Sequence, residues 1–378
     1  MVPDGRSDGR QDVRLPERSW RAAARSACGV TDPAVSVVIP SYNGEALLGE
    51  TLQSLERQSF RDWEAIVVDD GSTDGTRALL RGWPDPRVRL VVRAENGGPV
   101  LARNAGVAAA RGRYIAALDQ DDLCLPERLA RQVAYLDRHP DVVLLGTQAR
   151  QLRDGTVSDM PYPTQTTPEL IAWLSWIENP LVWSTVMIRG EAARALDPFS
   201  RPGLVYAEDF DLYHRIAAFG RIARLDEPLL LYRQHAGGVS KRFAAAMGES
   251  AARVLAERHA GALGVDAAVE LAALLVRHHM TGAPVPDRAT LRRLGAGIAT
   301  LQAVFLERER PDAESRKLIR WETARRWARI GRAGLQSGSV GLPDVLAARP
   351  PHLGLGYAGI ETLLWSAAIG AVRRWRAG

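Results

Sequence analysis

The stretch VSVVIPSYNGEALLGETLQSLERQSFRDWEAIVVDD, residues 35–70, decides the fold. Its opening VSVVIP is a β-branched run ended by a proline, the pattern of a strand buried in a parallel sheet and followed by a loop. Leu47, Leu48, Leu52 and Leu55 then recur at helical spacing with charges between them. WEAIVV supplies a second buried strand that runs into the turn residues DDGSTDGT. Working outward, RVRLVV (87–92) reads as a third strand, ENGGPVLARNAGVAAARG (95–112) as a glycine loop and an alanine-rich helix, and YIAAL (114–118) as a fourth strand. Strand and helix alternate through four cycles. This predicts an α/β fold, an open, mostly parallel, doubly wound sheet with helices on its faces, which binds ligands at the carboxyl ends of its strands.

Asp69, Asp70, Asp119, Asp121 and Asp122 all fall at those ends, so the mouth of the sheet is acidic. Carboxylates crowded in this way repel one another, and an acidic crevice accepts a phosphate-bearing ligand only through a bridging cation. In extended backbone Asp119 and Asp121 project to the same side, where a hard divalent ion would keep open positions for phosphate oxygens. The competing structural reading, in which such residues cap helices and turns, suits Ser72, Thr73 and Asp74 well.

Composition excludes several classes. The chain has 378 residues, with 49 Lys and Arg against 44 Asp and Glu spread along its length, a balance that does not describe a nucleic-acid binder. Its two cysteines, Cys28 and Cys124, cannot build a disulfide framework or a zinc site alone, so a reducing, cytoplasmic setting is expected. Residues 1–34 mix Arg and Asp without an apolar segment and read as a disordered arm rather than a secretory signal.

Three ordered motifs carry a family resemblance: residues 36–76, ENGGPVLARNAGVAAARGRYIAALDQDD (95–122), and YAEDFDLYHRIAAFGRIARLDEPLLLYRQH (206–235). Together they strongly resemble the family 2 glycosyltransferases, enzymes of the glycosyltransferase A-type fold, across roughly residues 35–240. The resemblance implies a catalytic domain over 35–240 that binds a nucleoside-diphosphate sugar, UDP-sugars above all, followed by a helical extension over 241–378. It implies that Pro40, Tyr42, Glu45 and Asp70 line the base and ribose pocket, and that Arg103 meets the donor phosphates. DQDD matches the family's Asp-any-Asp motif, whose aspartates hold Mn²⁺ or Mg²⁺ on the donor diphosphate. Asp121 is then the direct ligand, Asp119 is shared between metal and ribose, and Asp122 acts through water. Asp209 of the Glu208–Asp209 pair takes the role of base, and His235, in the closing motif LLLYRQHAGGVS, approaches the metal. The acceptor is expected to be a glycan or lipid-linked hydroxyl in cell-surface polysaccharide assembly, at the inner face of the cytoplasmic membrane. Trp183, where relatives frequently carry histidine, is expected to add an apolar or sugar-stacking surface on the acceptor side.

Two other classes fit the sequence less well. A sugar nucleotidyltransferase normally carries a glycine-rich, basic loop after its first strand, whereas PSYNGE has no Lys or Arg. A non-catalytic carbohydrate-binding protein on the same fold has no need of Asp119, Asp121 and Asp209 together. Gly354, Gly356 and Gly359 spell G-x-G-x-x-G, but no strand precedes them. Beyond residue 240 the pattern is helical. ESRKLIRWETARRWARIGR (314–332) has seven Lys/Arg against two Glu, with Leu318, Trp321, Ala324 and Ala328 on one face, suited either to an anionic membrane or to packing. The apolar ending with its basic tip, residues 353–378, suits interfacial docking or a homodimer contact better than a membrane span.

Overall fold

The computed structural model describes residues 32–235, 243–350, 353 and 359–377, and Pro33–Gly378 form one compact unit. The expected N-terminal arm, up to residue 31, lies outside the described residues, as do Gly354, Gly356 and the part of the closing motif after His235.

Nine strands form one sheet: β1 (Val35–Ser41), β2 (Trp63–Asp69), β3 (Val88–Val92), β4 (Tyr114–Ala117), β5 (Leu123–Cys124), β6 (Val142–Arg153), β7 (Thr156–Asp159), β8 (Met187–Arg189) and β9 (Arg221–Arg233). Their order is β3-β2-β1-β4-β8-β6-β9-β5, with β7 paired on β6. The β3-β2-β1-β4 half is parallel throughout, as its sequence pattern implies. The other half is mixed, since β8 runs antiparallel between β4 and β6 while β6 and β9 are parallel.

Both faces of β1, β2 and β4 are covered, which is why these strands read as mainly apolar runs, with Ser36 and Glu64 paired to each other inside. On one face Val35, Val37 and Ile39 pack with Leu48, Leu52 and Leu55 of α1 (Leu48–Glu56) and with Leu129, Val133 and Leu136 of α4 (Arg128–Arg138). On the other, Val38, Ile66 and Val68 meet Ala102 and Val107 of α3 (Gly98–Ala109) and Leu212 and Ile216 of α7 (Glu208–Ile216). Helix α3 can approach β1 closely because residue 106 is glycine. A Cβ there would lie 2.4 Å from Val38 Cγ1.

A third core joins the C-terminal helices to the catalytic face. α5 (Pro168–Leu174) contributes Leu170 and Trp173, and α7 contributes Phe210. They pack among residues of α8 (Ala244–Leu263), α9 (Val265–Leu274), a π-helical turn at 275–280, α10 (Arg288–Glu309), α11 (Ala313–Ser337) and α12 (Leu342–Ala347). Asp287 and Asp312 cap α10 and α11, accepting from Thr290 N and Ser315 N at 2.7 Å each. Of the apolar stripe read in the sequence, Ala328 is buried and Leu318 and Ala324 pack against the core, while Trp321 stands 49% exposed. The inward face also takes in Ile319, Glu322, Thr323, Arg326, Trp327 and Ile330. It can hold two charged residues because Arg326 and Glu322 pair with each other inside the protein. The last helix, α13 (Gly359–Ala377), packs on α11.

The approach of α3 to β1 yields a direct test. Gly106→Val forces new methyl groups against Val38 and is expected to destabilise the fold by about 1–3 kcal/mol, the usual cost of overpacking. Urea denaturation checks this, and an unchanged midpoint would mean that α3 does not sit so close to the sheet.

Candidate active site

The site lies where the parallel strands end. The loop after β1 is stitched to its neighbours by short polar side chains. Gln120, the second residue of DQDD, accepts from Ser41 Oγ at 2.7 Å and Tyr42 N at 3.1 Å, and donates back to Tyr42 O at 3.1 Å. The loop passes under this amide because residue 44 is glycine, whose Cβ would fall 2.3 Å from Gln120 Oε1. Tyr42 itself projects into solvent beside Pro40. Glu45 and Asp70 both hold loops in place. Glu45 accepts from Gly75 N at 2.9 Å, at the start of α2 (Thr76–Arg81). Asp70 is buried and accepts from Arg93, from Gly97 N at 3.1 Å and from Gly98 N at 2.8 Å, which fixes the N-terminus of α3.

That anchoring aims Arg103, in the second turn of α3, at the centre of the site. The buried guanidinium pairs with Glu208 and reaches Asp119 Oδ1 at 3.3 Å. Burial alone would lower its pKa, but Glu208, Asp119 and Asp209 together raise it. Its flat face lies 4.6 Å from the ring centroid of Trp183. Trp183 is therefore not the open stacking surface expected from sequence. It is only 8% exposed, with Arg103 on its ring and Phe199 beside it.

The acidic loop after β4 is held from two sides. Asp119 N donates to Ser184 Oγ at 3.0 Å. On the other side, Arg233 of β9 donates from its backbone to Asp122 Oδ1 and from Nε to the Asp121 carbonyl, both at 2.8 Å, while its Nη2 reaches Glu50 at 2.7 Å. Asp121 Oδ2 and His235 Nε2 are 2.8 Å apart. Burial, then Asp119, raises the pKa of Asp121 against the opposing pull of His235. Burial, then Asp121 and Asp119, pushes Asp122 well above the ordinary carboxylate range, and its Oδ2 has no hydrogen-bond partner among the described residues. Among the described residues no three His, Cys, Asp or Glu side chains form a ready-made metal cage. What the loop presents instead is one oxygen and one imidazole nitrogen converging, with Asp119 close by. This is a partial donor set of the kind that a hard divalent cation completes with phosphate oxygens and water.

Across Arg103 stands the second acidic pair, in the first turn of α7, where negative charge meets the positive end of the helix. Glu208 is buried, with its Oε2 unpartnered among the described residues. Asp209 does not cap the helix, since Ala207 holds that position. Its Oδ1 accepts from Phe210 N at 2.7 Å and its Oδ2 from Asn179 Nδ2 at 2.9 Å. Burial, then the charge of Glu208, raises its pKa to about 6, with Arg103 and Asn179 pulling the other way. A carboxylate so tuned can accept a proton near neutral pH and release it again. Asn179, Gln120, Ser184 and Arg233 escaped the sequence reading. Each is a neutral or basic residue in a loop, a short helical turn or at a strand end, and only Gln120, inside DQDD, has a marked neighbourhood.

Comparison with known proteins shows what the chain is similar to. The pattern of glycosyl transferase family 2 matches residues 36–195. The putative glycosyltransferase EpsE of Bacillus subtilis is 32% identical over 216 residues, covering 56% of this chain and 76% of that protein. A UDP-Glc:alpha-D-GlcNAc-diphosphoundecaprenol beta-1,3-glucosyltransferase of Escherichia coli, WfgD, is 27% identical over 195 residues, covering 52% of this chain and 74% of its own. Among solved structures, residues 1–349 of S. aureus TarS in complex with UDP-GlcNAc share the fold, with a TM-score of 0.50 at 19% identity over 90% of this chain and 91% of that one. With its sheet topology and the acidic loops that flank Arg103, the chain belongs to glycosyl transferase family 2 and is a glycosyltransferase.

Proposed function

We propose that the protein transfers a sugar, with inversion at the anomeric carbon, from a nucleoside-diphosphate donor to a hydroxyl of a glycan or lipid-linked acceptor in cell-surface polysaccharide synthesis. The observation that carries this reading is the single guanidinium of Arg103, bonded on one side to Asp119 of the donor loop and on the other to Glu208 beside Asp209. It offsets the charge of a donor-side carboxylate on one side and of the pair that holds the proton acceptor on the other. Asp209 takes the proton of the acceptor hydroxyl. The oxygen attacks the anomeric carbon from the face opposite the diphosphate, one C–O bond forms as the other breaks, and the electron pair leaves on the nucleoside diphosphate. A single displacement of this kind inverts the centre.

Asp121 and His235 would hold Mn²⁺ or Mg²⁺, with Asp119 serving either the ion or the ribose and Asp122 acting through water. When bound, the ion neutralises charge on the leaving diphosphate. Pro40 and Tyr42 would border the nucleoside, with Glu45 and Asp70 shaping the loops around it. A UDP-sugar is the favoured donor, in keeping with the activity in the name of WfgD.

The acceptor side points to an anionic lipid surface at the inner face of the cytoplasmic membrane. No helix among the described residues is long and apolar enough to cross a membrane. Helix α13 nevertheless turns Leu364, Trp365 and Val372 outward, with Trp365 71% exposed and Arg373 beside them, and the sequence adds Arg374 and Arg376. An exposed apolar stripe with a basic end complements anionic headgroups.

Two outcomes are expected. Asp209→Asn should retain Mn²⁺-dependent binding of UDP, measured calorimetrically, while transfer falls by about 10²- to 10⁴-fold, the usual contribution of a positioned base. In the native protein the base works only when ionised, so kcat/KM should decline as pH falls through about 6. Transfer by Asp209→Asn within a few-fold of the native rate would move the base to Glu208. Separately, the full chain should sediment with phosphatidylglycerol vesicles in a salt-sensitive manner, and the double variant L364S/W365S should not. Equal sedimentation of the two, or a dimer in solution that the double variant dissolves, would assign the stripe to packing.

A further inference from the structure

We infer that the C-terminal helices position the proton acceptor: Arg326 of α11 grips Glu178, and the adjacent residue, Asn179, donates to Asp209. This rests on reading Asp209 as the base and adds a positioning unit to it, drawn from a part of the chain beyond residue 240.

The chain of contacts is continuous. Glu178 and Asn179 follow α5 in a loop that crosses to the α7 side of the site. Glu178 Oε1 accepts from Arg326 Nε at 2.9 Å and also from Nη2. Its other oxygen, Oε2, lies 2.8 Å from His279 Nε2 in the π-helical turn. Arg326 is itself oriented from behind, donating to the carboxylate of Glu322 at 2.5 Å and to its carbonyl at 3.1 Å. Arg329 Nη2 lies 3.3 Å from His279 Nδ1, which accepts from it and holds the ring beside Glu178. Arg326, Glu322 and His279 are all buried. Burial would raise the pKa of Glu178, yet Arg326 and His279 hold it far below the usual carboxylate range, so it stays ionised. At the far end Asn179 Oδ1 accepts from Leu181 N at 3.3 Å, which turns the amide so that Nδ2 faces Asp209 Oδ2 at 2.9 Å.

Burying an ion pair is a poor way to gain stability, because the desolvation of both charges offsets much of their attraction. Its value lies in direction. Two N–H groups of one rigid guanidinium converging on Oε1, with His279 beside Oε2, restrict where this carboxylate can sit, which apolar packing alone does not. Here the restricted carboxylate belongs to the residue preceding Asn179, and the Asn179 amide is a direct hydrogen-bond donor to Asp209.

The test reads Asp209 itself and needs no donor or acceptor. In the full chain carrying ¹³Cγ-labelled aspartate, Asp209→Asn identifies the resonance that titrates near pH 6. Glu208, Arg103, Tyr162 and Tyr213, the titratable and charged groups around Asp209, are left unchanged. Asn179→Ala, which removes a donor to the ionised carboxylate, and Arg326→Lys, which keeps the charge but loses the fork, should each raise that midpoint by about half to one pH unit. Glu178→Gln discriminates further. Removing a nearby negative charge would by itself lower the midpoint, so a rise there reports the loosened amide. A midpoint that stays put in Arg326→Lys, or that does not rise in Glu178→Gln, overturns the inference even if both variants melt earlier, since that outcome describes a merely structural ion pair. Should Asp209→Asn leave sugar transfer intact, the base assignment fails instead, and the titration still decides whether the C-terminal helices position Asp209.

Discussion

The site depends on one buried cation. Arg103 sits among carboxylates that would otherwise repel, bonded to Glu208 and Asp119 and felt by Asp209. Deprived of it, Glu208 would be a buried, uncompensated anion, a condition that costs about 3–5 kcal/mol when one partner of such a pair is removed. Much of the neighbouring sequence serves to deliver this guanidinium. Asp70 pins the glycine loop before α3, Gly106 lets the helix lie against Val38, and Trp183 covers the flat face of Arg103. Three residues that look like separate features in the sequence thus serve one placement.

The two acidic groups on either side of Arg103 are tuned differently by their surroundings. Asp121 and Asp122 have raised pKa values because burial and crowding disfavour their charge, and a bound cation would relieve both. Asp209 is raised by burial and by Glu208, yet hydrogen bonds and Arg103 keep it near pH 6, where it can exchange a proton. Carboxylates in unlike environments can in this way divide metal binding and proton transfer between them. The catalytic face is also backed by a helical layer that shares its core, with Trp173 Nε1 donating to Thr323 Oγ1 of α11 at 2.8 Å.

The parallel half of the sheet was legible because both its faces are apolar, so β1, β2 and β4 announce themselves as mainly apolar runs ending in turn residues. The aspartates were legible because they cluster at strand ends. What could not be read was which neutral residues would meet them. Gln120, Asn179 and Ser184 act across sequence separations of 78, 30 and 65 residues, and no local pattern encodes such contacts. The roles of Glu45 and Asp70 as loop anchors were hidden for the same reason. The face of α11 was legible only in part: Leu318, Ala324 and Ala328 turn inward as read, but Arg326 and Glu322 join them because the rule that charge faces water fails where ions pair. Trp183 reads as a stacking surface until the structure puts Arg103 on its ring.

The central claim is that one cation on Asp121 and His235 joins the acidic loop to a nucleoside diphosphate, with Arg103 and Asp209 arrayed around it. Anomalous diffraction from crystals grown with UDP and Mn²⁺ tests it most directly. The account predicts a manganese peak within about 2.0–2.6 Å of the Asp121 carboxylate, adjacent to His235 Nε2 and shared with diphosphate oxygens. UDP bound at the ends of β1 and β4 with manganese absent, or held by residues other than Asp119, Asp121, Asp122 and His235, would contradict it.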